Sequence, residues 1–251
     1  MTNSQFNQDF DTITANSSNT FDIFSLWQQV PQEWQTLMQD FPQEIWQKIN
    51  EAVSHDLQNN IQVFPYDFFY ALKCTKPQDI KIVILGQDPY HNIFGNTPQA
   101  HGLAFSVPSG IDIPPSLRNI DIELKQSLNI PIPKHGCLDT WAKQGVFLLN
   151  SILSVQAHNP ASHAHIGWQE FTDYLIAQLA KNYAHIVWML WGKYAQSKTQ
   201  YIPNENNQHL ILCTTHPSPL SAHRGFLGCG HFREARNYVL TTRGIEIDFT
   251  R

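Results

Sequence analysis

The sequence predicts an α/β fold: a single domain on a central four-stranded parallel twisted sheet, with helices on both faces. Three observations predict it. Four short, continuously apolar runs recur in the last two thirds of the chain, amphipathic segments of helical period lie between them, and each run stops at a small or polar residue. A strand buried on both faces reads as an unbroken apolar run, whereas a half-exposed strand alternates. Runs of this kind joined through helices are parallel strands, because parallel pairing needs a crossover that covers the sheet.

The elements follow in order. Residues 1–20, MTNSQFNQDFDTITANSSNT, are polar and aperiodic and are expected to form a disordered tail, leaving residues 21–251 as the domain. From about Phe24 to Asn60, Phe41, Ile45, Ile49 and Val53 recur at helical spacing, and Pro31 and Pro42 divide the stretch into separate helices. The strand runs are IKIVILG (80–86), GVFLLN (145–150), HIVWMLWG (185–192) and HLILCTTHP (209–217). Between them, Leu117, Ile120, Leu124 and Leu128 share one face of PSLRNIDIELKQSL, as Trp168, Phe171, Leu175 and Leu179 share one face of WQEFTDYLIAQLAKNY. A last helix turns Phe232, Ala235 and Val239 inward and stops at Gly244.

Composition narrows the class. The 251 residues are 42% hydrophobic, enough for a substantial core. No segment approaches the roughly 18 uninterrupted apolar residues of a membrane span, and the N-terminus lacks the basic and apolar regions of a secretory signal. Cys74, Cys137, Cys213 and Cys229 have neither C-x-x-C spacing nor a disulfide framework. They are expected to be reduced and mostly buried, in a cytoplasmic protein. The net charge of −5 is uneven: residues 1–80 hold three Lys/Arg against ten Asp/Glu, whereas the rest carries a slight positive excess and eleven of the twelve histidines. A polyanionic partner is therefore open to the C-terminal two thirds.

Ligands of open parallel sheets bind beyond the carboxyl ends of the strands. The four runs deliver Gln87-Asp88, Asn150, Gly192-Lys193 and His216-Pro217-Ser218 to that edge. The chain has no phosphate-binding glycine loop, no G-x-S-x-G elbow and no H-E-x-x-H. His163-x-His165 could ligate a metal, but no third ligand stands at a recognisable spacing, so a metal is not expected. What remains is one carboxylate, one imidazole and one side-chain amide. O-glycosidases normally need two carboxylates, one of them to protonate the leaving alkoxide. A single carboxylate suits a leaving group that departs as a stabilised anion, such as a nucleobase leaving through a ring nitrogen.

The segments GQDPYH (86–91), GLAFSV (102–107), IPPSLRNI (113–120), GVFLLN (145–150) and HPSPLSAHRGF (216–226) resemble, in order, the motif set of the family 1 uracil-DNA glycosylases. The similarity covers roughly residues 30–250. It implies removal of uracil from single- and double-stranded DNA in base-excision repair by a monomer without cofactor, with DNA-mimicking inhibitor proteins as a further partner class. By the same resemblance Asp88 orients water and stabilises the oxocarbenium ion, and His216 stabilises the uracil anion at O2. Asn150 reads the base, Tyr90 excludes the thymine methyl, Phe105 stacks on the base and Gln87 lines the pocket. Leu220 fills the space the flipped base vacates. Ser116, Ser218 and Ser221 hold phosphates, beside Gly192 and Lys193.

Two departures from the family pattern stand out. NIFGNTP, between His91 and QAHGLAF, is several residues longer than usual, and Lys193 occupies a position where a serine is common. The first opens the alternative of a related glycosylase with shifted base preference. A DNA-binding module without activity is the alternative from another class, although binding alone needs no water-orienting carboxylate.

Overall fold

The computed structural model describes residues 21–203 and 208–251. The expected tail over residues 1–20 lies outside them. Pro31 and Pro42 open two of the first three helices, α1 (Ile23–Trp27), α2 (Gln32–Leu37) and α3 (Gln43–Gln58), as the proline spacing predicts. A short strand β1 (Val63–Phe64) and helix α4 (Tyr70–Cys74) lead to β2 (Ile82–Gly86), the first strand of the main sheet. A small hairpin, β3 (Ile93–Phe94) and β4 (Thr97–Pro98), precedes α5 (Pro115–Leu128) and α6 (Asp139–Ala142). Then come β5 (Val146–Asn150), β6 (Val155–Gln156), α7 (Trp168–Asn182), β7 (Val187–Trp191), α8 (Gly192–Ser197), β8 (Leu210–Thr214) and α9 (His231–Arg243).

The main sheet has the order β5-β2-β7-β8 with every pair parallel. Residues of β2, β5 and β7 are almost all buried, which is why their runs are continuously apolar. Register separates the two faces. Val83 pairs with Phe147 and Trp188, so these side chains share one face, where Trp34 of α2 stacks on Phe147 with ring centroids 5.2 Å apart. The other face carries Trp191, which packs edge-on against Phe232 of α9 at 5.7 Å. Trp34 also donates its indole N–H to Leu72 O and Thr75 O, satisfying its one polar group inside the core. On α7, Trp168, Phe171, Leu175 and Leu179 are fully buried, each stabilising the fold by about 1.5–3 kcal/mol.

The cysteine expectation needs correction. Cys74, Cys137 and Cys229 are only half-buried and Cys213 is exposed, although all four are free thiols as expected. Cys213 lies on β8, the edge strand of the sheet, where only Leu212 is buried.

His163 has a structural role. Its Nε2 pairs with Asp56 at 2.8 Å and its Nδ1 with Ser154 Oγ at 2.7 Å, and Trp168 Nε1 donates to the same hydroxyl. Both ring nitrogens are engaged, leaving no lone pair free for a metal. His165, the other member of the pair, is exposed.

Candidate active site

Strand order locates the site. The connection from β2 runs outward to the edge strand β5, whereas that from β7 runs the other way to β8. Adjacent strands whose connections diverge leave a crevice at their carboxyl ends. A cleft of about 190 Å³ opens there, lined by Leu85, Gly86 and Gln87 on one side, Trp191 to Ala195 on the other, and His216 across them.

Specific contacts position Asn150, Asp88 and His216 at the strand ends. Asn150 pairs in register with Gly86. A Cβ at Gly86 would stand 2.2 Å from Asn150 Oδ1, so only glycine lets the amide lie across the end of β2. Gln87 O accepts from Ile152 N at 2.9 Å, extending the β2–β5 pairing past the strand while the Gln87 side chain stays exposed. Asp88 is half-buried and Oδ2 accepts from the backbone N–H of Ala161 at 3.1 Å. Gly192, at φ +87°, brings α8 against His216, where a Cβ would come within 2.9 Å of the histidine Cβ.

His216 is fixed in one tautomer. The backbone N–H of Ser218 donates to Nδ1 at 3.0 Å, so that nitrogen is the acceptor and the neutral ring carries its proton on Nε2. Burial lowers its pKa below the ordinary imidazole value and keeps the ring neutral near pH 7. The ring faces Phe105 with centroids 5.9 Å apart, and Phe105 in turn packs against Trp191 at 5.7 Å. Phe105 adopts φ +65°, a left-handed conformation costing a phenylalanine of order 1 kcal/mol. Tyr90 hydroxyl donates to Phe105 O at 3.4 Å, and its ring lies in a small apolar cluster with Phe64, Ala100 and Val155. Burial raises the Tyr90 pKa, so it remains a phenol.

Residues 73–240 match the uracil DNA glycosylase superfamily. The chain belongs to that superfamily. A Francisella tularensis subsp. novicida protein named Uracil-DNA glycosylase is 48% identical over 216 residues, covering 85% of this chain and 96% of that one. The crystal structure of mimivirus uracil-DNA glycosylase superposes with a TM-score of 0.86 at 27% identity, over 92% of this chain and 90% of that one. A mimivirus UNG variant in complex with UGI superposes with a TM-score of 0.85 at 27% identity, over 92% of each chain.

In this member of the uracil DNA glycosylase superfamily, the loop after β8 stands at the same edge as the cleft. Ser221 Oγ donates to His216 O at 2.8 Å and lies 3.0 Å from Ser218 Oγ, so both serines brace the turn that presents Leu220. Leu220 is 82% exposed, the most exposed large hydrophobic residue among those described. Ser116 stands in the first turn of α5. One turn later, Asn119 Nδ2 donates to Pro217 O at 2.7 Å and ties that helix to the Leu220 loop. Lys193 is exposed at the start of α8, beside Gly192 in the cleft lining.

Three contributors carried no signal in the sequence: Trp191 and Tyr194, which line the cleft, and Ala161, which reaches Asp88 through its backbone. A loop-by-loop charge reading shows more than the division at residue 80. Across 87–114, 151–167, 192–209 and 215–230, the segments that follow the four strands, the acidic residues Asp88, Asp112 and Glu205 are matched by Lys193, Lys198 and Arg224. Lys198 within them is buried against Asp173 at 2.7 Å, while Lys193 and Arg224 are exposed. These segments are balanced in charge, so the net −5 of the chain resides outside them.

Proposed function

We propose that the chain hydrolyses the N-glycosyl bond of uracil in single- and double-stranded DNA, releasing the free base and leaving an abasic site for base-excision repair. The observation that carries this reading is that one carboxylate, Asp88, and one neutral histidine, His216, follow the carboxyl ends of strands of the same parallel sheet, the histidine with its Nδ1 occupied and its Nε2 therefore the donor.

The chemistry follows from those two groups. As the bond between C1′ and the base nitrogen breaks, positive charge grows on the sugar and negative charge on uracil O2. Asp88 stabilises the first and orients the water whose oxygen bonds to C1′. The proton lost from that water passes to the carboxylate. His216 donates from Nε2 to O2, and a neutral donor in a sheltered site serves a developing anion well. Asn150 offers uracil an acceptor for N3–H and a donor for O4, a pattern that cytosine reverses. Phe105 provides the stacking face and Tyr90 the wall that a C5 methyl would strike.

A base within a duplex must first be flipped out, and Leu220 is placed to fill the vacated space. Ser116, Ser218, Ser221 and the backbone at Gly192 hold phosphates, with Lys193 adding a point charge that makes binding more salt-dependent. The reading takes the protein as a cytoplasmic monomer that uses no metal. It extends to inhibitor proteins that mimic DNA, which the likeness to UNG bound to UGI supports.

The test is a base-release assay on oligonucleotides carrying U, T or C, run with magnesium and then with chelator. Release of uracil alone, undiminished by chelator, is expected. Binding without release of any base would overturn the reading in favour of a DNA-binding module.

A further inference from the structure

The segment between His91 and Gln99 forms a second feature beside the cleft, which the glycosyl chemistry leaves unused. In the β3–β4 hairpin, Ile93 pairs with Pro98 and Phe94 with Thr97 across a turn at Gly95-Asn96. Its base is closed by Gln99 N donating to Asn92 O at 2.9 Å. Directly before it, His91 O accepts from His158 N at 2.8 Å, linking the hairpin to the loop that carries Ala161 to Asp88.

Two strands of two residues are not stable alone, so this hairpin depends on what it packs against. Successive strand residues point to opposite sides. Ile93 is half-buried and joins Tyr90 against the cluster of Phe64, Ala100 and Val155. Phe94, next in the chain, is left 45% exposed. The pocket wall at Tyr90 and the exposed phenyl thus share one apolar foundation. Within 61–66, 88–111 and 140–169, the segments that form this flank, Asp88 is the single acidic residue and its Oδ2 accepts from Ala161 N; Asp67, paired with Lys73, and Asp112 border them. A single exposed phenylalanine on a protein surface is ordinary. One projected from a hairpin anchored on the same apolar cluster as the Tyr90 ring is placed to meet a polyanion that carries aromatic rings.

We propose that Phe94 is a stacking platform for an unpaired nucleobase next to the flipped uracil, on the Tyr90 side of the pocket. The proposal rests on the glycosylase reading above. Every base offers a π-face, so a stacking platform is indifferent to sequence. It acts on single strands, because neighbouring bases in a duplex are already stacked on one another.

The experiment compares wild type, Phe94→Ala and Phe94→Trp on single-stranded and duplex uracil oligonucleotides. On single strands, Phe94→Ala is expected to raise KM about fivefold or more, the lower end of what one stacked base contributes, with kcat unchanged. Phe94→Trp should restore KM, and duplex kinetics should move little. A direct readout uses uncleaved single strands with 2-aminopurine beside the uracil, bound to Asp88→Asn protein: quenching on binding should weaken when Phe94→Ala is added. Unchanged KM together with unchanged quenching would overturn the platform while wild-type uracil release leaves the glycosylase reading standing. A wild type that binds and quenches but releases no uracil would overturn that reading alone.

Discussion

The backbone N–H of Ala161 donates to Asp88 Oδ2 at 3.1 Å, from a left-handed φ of +58°. For alanine that conformation costs of order 1 kcal/mol, and the surrounding contacts hold it in place. Ser162 Oγ accepts from Gln156 N at 2.8 Å, and Gln156 Nε2 donates to Asp56, which also holds His163. The acceptor geometry at Asp88 is thus set by a network that reaches back to α3. The other carboxylate oxygen is not committed to this bond.

Asp88→Asn keeps an oxygen that can accept from Ala161, so the fold and DNA binding should persist. The negative charge is lost. Uracil release is expected to fall by at least about 100-fold to 1,000-fold, as for other charge-stabilising groups removed from an active site. Single-turnover release measured alongside binding of uncleaved DNA separates the two effects, and a near-normal release rate would remove Asp88 from the mechanism.

Tyr90 is held on both sides, by its bond to Phe105 O and by the cluster beneath its ring. Tyr90→Ala should open space at C5 of the base and admit thymine, giving measurable thymine release from a T-containing oligonucleotide. If the variant still rejects thymine, the wall is formed by something else.

Leu220 projects from a turn whose neighbours Ser218 and Ser221 are both hydrogen-bonded, so shortening it should leave the loop intact. Leu220→Ala is expected to slow release from duplex DNA by about tenfold or more, since losing a buried leucine side chain costs about 1.5–3 kcal/mol. Single-stranded substrate leaves no vacated stack and should be nearly unaffected. Equal losses on the two substrates would argue against the wedge.

Stability should fall with acid through buried histidines. Trp191 Nε1 donates to His231 Nδ1 at 3.2 Å, and burial pushes the His231 pKa down to about 4. A depressed folded-state pKa means that the unfolded chain binds the proton first. The contribution is therefore present above pH 6.5 and lost as pH falls toward 4. For His231 the loss is about 3 kcal/mol at pH 4. His163 and His209 are shifted the same way by burial. Urea midpoints between pH 7 and 4.5 should decline, and less steeply in His231→Gln, whose side chain does not titrate. A slope identical to wild type would show that His231 does not titrate as the burial requires.

Much of the fold was legible because strands buried on both faces must be continuously apolar. The runs read at 80–86, 145–150, 185–192 and 209–217 contain β2, β5, β7 and β8. The strand-end rule puts Asp88, Asn150 and His216 at one edge from chain direction alone. The two-residue strands β1, β3, β4 and β6 leave no signal in the sequence, since two residues are too few to show a period.

By itself, then, the sequence determined the strands, their parallel pairing and the chemical groups at their carboxyl ends, because those depend on local apolar pattern and chain direction. Tertiary structure decided how the groups are set. It gave His216 its tautomer, Phe105 and Ala161 their left-handed backbones, and His163 its partner Asp56, 107 positions away. It also sent Ile93 inward and Phe94 outward. Each of these rests on burial or on hydrogen bonds that exist only once the chain has folded, and local pattern carries no record of them.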